Sequence, residues 1–135
     1  MPLAVCNLSQ LTKLDLSSNS LRGLPDEIGN LRSLEVLDLR SNEVTQLPPE
    51  IGNLIELRTL YIGENQLVQL PKELADLKKL TIIELEPNPA ADDLREWVEG
   101  HLRALVLPSR HPIFEVPGPP WYKKMRIDDD YMGYT

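Results

Sequence analysis

The 135-residue sequence predicts an α/β solenoid, in which strand-and-turn repeats stack into a short parallel sheet, one helix closes the stack, and an extended tail follows. Three observations predict it. A 23-residue register runs without a gap to Pro89, the apolar period becomes helical near residue 91, and from Pro108 prolines and aromatics accumulate with no period at all. The expected organisation is repeats over 1–89, a capping helix over 90–107 and an extended tail over 108–135.

Written in steps of 23, the chain aligns LTKLDLSSN at Leu11, LEVLDLRSN at Leu34, LRTLYIGEN at Leu57 and LTIIELEPN at Leu80. Leu14, Leu37, Leu60 and Ile83 form one column, and Leu16, Leu39, Ile62 and Leu85 a second. Asn19, Asn42, Asn65 and Asn88 form a third. Leu24-Pro25, Leu47-Pro48 and Leu70-Pro71 follow at equal spacing, as do Ile28, Ile51 and Leu74. Each Leu-x-Leu alternation has the period of a strand with its apolar side chains on one face, and a single strand cannot bury that face alone. Neighbouring repeats must therefore stack, with a parallel sheet on one side, turns or short helical segments on the other, and the Leu and Ile columns between them. An asparagine at the bend after each strand can satisfy turn backbone groups that would otherwise be stranded, at about 1–3 kcal/mol per unsatisfied group. Asn19, Asn42, Asn65 and Asn88 are accordingly expected to be a structural ladder.

These columns resemble the leucine-rich repeat family pattern L-x-x-L-x-L-x-x-N-x-L-x-x-L-P-x-x-I-G-x-L, and the resemblance covers residues 1 to about 89. The LPxxIGxL variant is similar to the intracellular Ras-group and Ras-suppressor-like proteins. It implies a non-catalytic adaptor or scaffold, with protein partners such as a small GTPase, a regulatory enzyme or a large assembly.

The two ends need caps. Displaced by one repeat, Met1-Pro2 aligns with Leu24-Pro25, Val5 with Ile28, Cys6 with Gly29 and Asn7 with Asn30. The sequence thus opens in mid-repeat, and the first strand is expected to present an open edge that another chain, or upstream sequence, would cover. Cys6 takes a small-residue slot and is expected to pack rather than react. Asn7-Leu8-Ser9 resembles a glycosylation acceptor, but its Asn recurs as Asn30 and Asn53 for repeat reasons.

After Pro89, Leu94, Trp97, Val98, Leu102 and Leu105 recur at helical offsets and predict one amphipathic helix over about 91 to 106. Asp92 and Asp93 favour its start, Arg103 lies near its end and Pro108 stops it. His101 falls on the apolar stripe, as a buried histidine, a partner contact or a metal ligand. From Pro108 the chain cannot form a core of its own, and prolines at this density favour extended backbone. It is either a loose tail, one folded back on its own solenoid, or an arm docking on a partner through Phe114, Trp121, Tyr122 and Tyr131.

Charge and motifs exclude several function classes. The chain carries 21 Asp and Glu against 14 Lys and Arg, a net charge of -7, which argues against a phosphate-tracking nucleic-acid binder or an anionic-membrane binder. Direct sequence-specific nucleic-acid binding and membrane insertion are not expected. A lone cysteine forbids an internal disulfide and favours a reducing compartment, so the expected location is cytoplasmic. The sequence holds no GxGxxG, GxxxxGK[ST], HExxH, CxxC or GxSxG, and its two histidines lie in the cap and the tail. No catalytic residue, cofactor or metal is expected.

In the resembled fold the outward strand positions form a concave binding surface. Here these are Lys13, Val36, Thr59 and Ile82 in one row, and Asp15, Asp38, Tyr61 and Glu84 in the next. Arg40, Glu64 and Glu86 follow beyond the strands. A mildly apolar track beside an acidic border suits a partner with Arg or Lys around a small apolar knob. The reading is an adaptor that binds a protein through this face, with the tail as an additional docking arm. The alternatives are a structural subunit of a large multiprotein or ribonucleoprotein assembly, and a regulatory fragment of a larger signalling enzyme.

Overall fold

The computed structural model describes residues 3–102 in full, together with the backbone of two further strands at 105–107 and 122–124. Strands β1 (Lys13–Asp15), β2 (Val36–Asp38), β3 (Thr59–Tyr61) and β4 (Ile82–Glu84) come one per repeat, followed by helix α1 (Ala91–His101), β5 (Leu105–Leu107) and β6 (Tyr122–Lys124). They form one parallel sheet in the order β5-β4-β3-β2-β1-β6. Equal spacing in the sequence becomes equal register in space: Lys13 pairs with Val36, Val36 with Thr59, and Thr59 with Ile82.

Each repeat returns through a five-residue 3-10 segment: Leu3–Asn7, Asp26–Asn30, Pro49–Asn53 and Lys72–Asp76. Pro25, Pro48 and Pro71 precede the last three with φ of -70°, -70° and -67°, which is the angle the pyrrolidine ring imposes, so the entry is pre-set. Neighbouring segments stack closely. A Cβ on Gly29 would lie 2.9 Å from the Glu50 carbonyl oxygen, and one on Gly52 2.9 Å from that of Glu73, which explains the glycine of the repeat.

The core lies between sheet and 3-10 segments. Leu37, Leu60, Ile83, Leu39, Ile62 and Leu85 are fully buried, with Ile28, Ile51 and Leu74 opposite them. Close packing of this kind makes truncation of a mid-stack leucine cost about 2–5 kcal/mol.

The asparagine column joins repeats. Asn65 Nδ2 donates to the carbonyls of Leu39 (2.8 Å), Ile62 (3.1 Å) and Gly63 (3.1 Å), while its Oδ1 accepts the Val44 N–H at 3.0 Å. Asn42 does the same with the Leu16, Leu39 and Arg40 carbonyls and the Leu21 N–H. Asn88 bonds the Ile62 and Leu85 carbonyls and the Leu67 N–H, and Asn19 donates to the Leu16 and Ser17 carbonyls. The corner before each asparagine is left-handed at Ser18 (φ 57°), Ser41 (57°) and Glu64 (53°). The fourth repeat departs from this, because Pro87 cannot adopt a positive φ.

Two sequence expectations change at the ends. Helix α1 stops at His101, short of residue 106, and Leu105, read as part of its apolar stripe, belongs to β5. Gly100 weakens the last turn, and pairing the chain with the free edge of β4 satisfies backbone groups that a longer helix would leave open. Arg103 lies outside the described residues. Leu94 and Val98 are buried on the last repeat with Trp97 and Leu102 packed beside them, while His101 is exposed and stacks on Trp97 at 4.7 Å between ring centroids. At the other end, the edge of β1 is not open: Tyr122–Lys124 of the same chain pairs with it in parallel. A three-residue edge strand carries no apolar alternation, so composition alone did not reveal it.

Candidate interaction surface

Because the inward positions of the strands are spent on the core, the residues between them project from the other face of the sheet. Register aligns them into rows, Lys13-Val36-Thr59-Ile82 and Asp15-Asp38-Tyr61-Glu84. None of the eight is fully exposed. Strands about 4.8 Å apart crowd neighbouring side chains along each row, and Asp15, Asp38 and Glu84 retain only 7%, 6% and 4% of their exposure.

Most of the acidic border expected to face a partner is engaged within the chain. Asp15 Oδ1 accepts the Ser17 N–H at 2.9 Å and the Ser17 hydroxyl at 2.5 Å. Asp38 accepts the Arg40 backbone N–H at 3.1 Å and its Nε at 2.8 Å, and an Arg40 Nη2 hydrogen bond completes a bidentate pair. Held there, the guanidinium lies over the Tyr61 ring, 4.7 Å from its centroid. The Ser41 hydroxyl donates to Glu64, and Arg95 of α1 pairs with Glu86.

Glu84 differs. It is the most buried of the three carboxylates and has no hydrogen-bond donor among the described residues. Burial pushes its carboxyl up to about 6, against the opposing pull of Arg40 and with help from the negative charges of Asp38 and Glu64. Burial likewise raises the Tyr61 hydroxyl, which Arg40 opposes. Gly63 makes room for this arrangement, since a Cβ there would meet the Glu86 carbonyl and stand 2.6 Å from Glu84 Oε1.

The apolar track forms one wall of a shallow depression. Lys13, Val36 and Thr59 line it with Gln10, Thr12, Glu35 and Arg58, and Arg58 Nε reaches Glu35 at 3.1 Å across the repeat boundary. The Thr12 hydroxyl is buried there without a hydrogen-bond partner among the described residues. These flanking residues were missed from sequence. Thr12, Glu35 and Arg58 are themselves a 23-residue column, one position before the strands, so the register was the signal that could have found them. Of the tail residues expected to dock, Tyr122 lies in β6, while Phe114, Trp121 and Tyr131 fall outside the described residues.

Cys6 is buried, and burial raises its thiol, with the Glu27 charge adding to the shift. Among the described residues no group of three or more His, Cys, Asp or Glu is arranged to hold a metal ion, and no helix is long and apolar enough to cross a membrane.

Comparison with known proteins fits this architecture. The fold is similar to a leucine-rich repeat protein of Leptospira interrogans, with a TM-score of 0.75 and 40% identity over 78% of this chain. It is also similar to a chain of the Drosophila melanogaster SNF/U2A′ complex, with a TM-score of 0.63 and 25% identity over 81% of this chain. The chain spans 27% of the length of the first and 65% of the second. No curated protein matches the sequence. The family profile described as a leucine-rich repeat region matches residues 3–107, the same span over which strands, 3-10 turns and asparagine ladder recur, and the chain belongs to the leucine-rich repeat family.

Proposed function

We propose that this chain is a non-catalytic protein–protein interaction module that holds a protein partner against the outward face of its sheet. The observation that carries the reading is the contrast between columns. The inward positions are nearly invariant from repeat to repeat, while the outward ones vary and gather an apolar track, Val36-Thr59-Ile82, beside Tyr61, Arg40 and an under-satisfied Glu84. With Asp15, Asp38, Glu64 and Glu86 already engaged within the chain, Glu84 is the carboxylate left to meet a partner's Arg or Lys, beside a small apolar contact. A partner of the kind suggested by the Ras-group pattern, a small GTPase or regulatory enzyme, would need such a basic contact.

The test is a pull-down from native extract, with the full chain beside a Thr59→Arg, Ile82→Glu double variant. A defined protein recovered by the wild type and lost from the variant, at unchanged melting temperature, supports the reading. Equal recovery by both sinks it.

A second reading, a structural subunit of a large assembly, is favoured by the similarity to a chain of the SNF/U2A′ complex. It predicts that the native protein elutes from gel filtration in a stoichiometric complex many times its own 15.3 kDa mass.

A further inference from the structure

We propose that the outer edge of β1 is a binding site for an extended peptide in parallel orientation, and that the chain fills it with its own segment Tyr122–Lys124 as a resident, displaceable ligand. The hydrogen bonds between β1 and β2 define the free side of β1. They run from Val36 N–H to the Thr12 carbonyl, from Leu16 N–H to the Asp38 carbonyl, and just beyond the strands from Ser18 N–H to the Arg40 carbonyl. Thr12, Leu14 and Leu16 therefore face β2, and the backbone groups of Lys13 and Asp15 face the other way.

On that side lies β6, pairing Lys13 with Tyr122, Leu14 with Lys123 and Asp15 with Lys124. The register repeats that of every other pair in the sheet. Lys123 thus stands where Leu14 stands in β1, at the position whose N–H and C=O both face the next strand.

Two features make the ligand both local and replaceable. β5 and β6 are the outermost strands of the sheet, five strand spacings or roughly 24 Å apart. The 14 residues 108–121 that join them can reach about 46 Å when extended, so the segment is tethered within range of its site with length to spare. The pairing itself spans three residues, a short ladder that the tether's high effective concentration keeps filled. Recognition through main-chain hydrogen bonds to a sheet edge accepts other extended segments in the same way, and an occupied edge is protected from pairing with further chains.

The experiment uses the full chain and its Lys123→Pro variant, in which the key N–H is removed. The probe is a labelled peptide of residues 119–128. Hydrogen exchange of the Asp15 amide should be at least tenfold faster in the variant, and the peptide should bind the variant at least tenfold more tightly than the wild type. A control peptide carrying the same proline should not bind. Equal Asp15 exchange in the two proteins, or equal peptide affinity, overturns the proposal. A wild-type chain that is dimeric, with Asp15 protection that falls on dilution, overturns cis occupancy in favour of tail exchange between copies.

Discussion

The two ends of the stack are closed by unlike means. At the C-terminal end an eleven-residue helix lays Leu94 and Val98 on the last repeat, and β5 extends the sheet beside it. At the N-terminal end the sheet edge is covered by three residues of β6, and the 3-10 segment Leu3–Asn7 leaves Leu3 and Leu8 at 43% and 41% exposure. The C-terminal closure takes Leu94 and Val98 out of water, whereas the N-terminal end leaves Leu3 and Leu8 partly in it. A solenoid whose stability is summed from repeats and their interfaces should therefore be firmer towards its helix than towards its first strand.

The column Leu11, Leu34, Leu57 and Leu80 offers the sharpest way to break that comparison, because one residue type occupies one place in every repeat. Leu57→Ala, fully buried with a repeat on either side, should cost about 3–5 kcal/mol in urea unfolding. Leu94→Ala, which undercuts the cap helix, should cost about 2–4 kcal/mol by the same measurement. Leu11→Ala should cost about 2 kcal/mol or less, since its surroundings at the lightly covered end can relax into the space. If Leu11→Ala proves as damaging as Leu57→Ala, the asymmetry between the ends is wrong.

Charge sharpens the same contrast. Asp15 on β1 and Glu84 on β4 occupy one row, yet Ser17 donates to the first and no described group donates to the second. Because the folded-state carboxyl of Glu84 lies near 6, above its ordinary 4.5, the folded protein holds a proton that the unfolded chain releases. The stability from this group is full below about 4.5 and is lost as pH rises through about 6. Glu84→Gln should remove that decline, worth about 1–2 kcal/mol, from thermal melts taken across the interval. The smallest effect is expected at the left-handed corner. Ser18→Gly relieves a positive φ but loosens the unfolded chain, leaving a net gain of about 0.5 kcal/mol or less in melting experiments.

What was legible in the sequence was whatever recurs. Leu14, Leu37, Leu60 and Ile83 announced the strands because a core built by stacking forces each repeat to present the same side chain at the same place. The ends were less legible for the opposite reason. Leu105 continued the helical stripe of Leu94, Val98 and Leu102, and its apolar side chain gave no sign that the β4 edge would draw the backbone into a strand. Tyr122–Lys124 gave less sign still, since backbone pairing leaves no side-chain signature. On the outward face the positions were readable but their satisfaction was not. Ser17 and Arg40 each fold back on the carboxylate two residues earlier, while Gly63, aligned with them, has no side chain to donate and lets Glu84 Oε1 lie against its backbone.

The asparagine ladder also sets the grain in which such a chain can change length. Asn65 bonds the carbonyls of its own repeat and of the one before, so each asparagine is at once the end of one rung and the brace of another. Duplicating or removing a whole block of 23 residues returns every amide to an equivalent set of carbonyls and lengthens or shortens the sheet by one strand. An insertion of any other length within a strand or its corner leaves one amide facing the wrong neighbour. The chain can therefore grow and shrink by whole rungs, and the outward rows of the sheet widen or narrow with it.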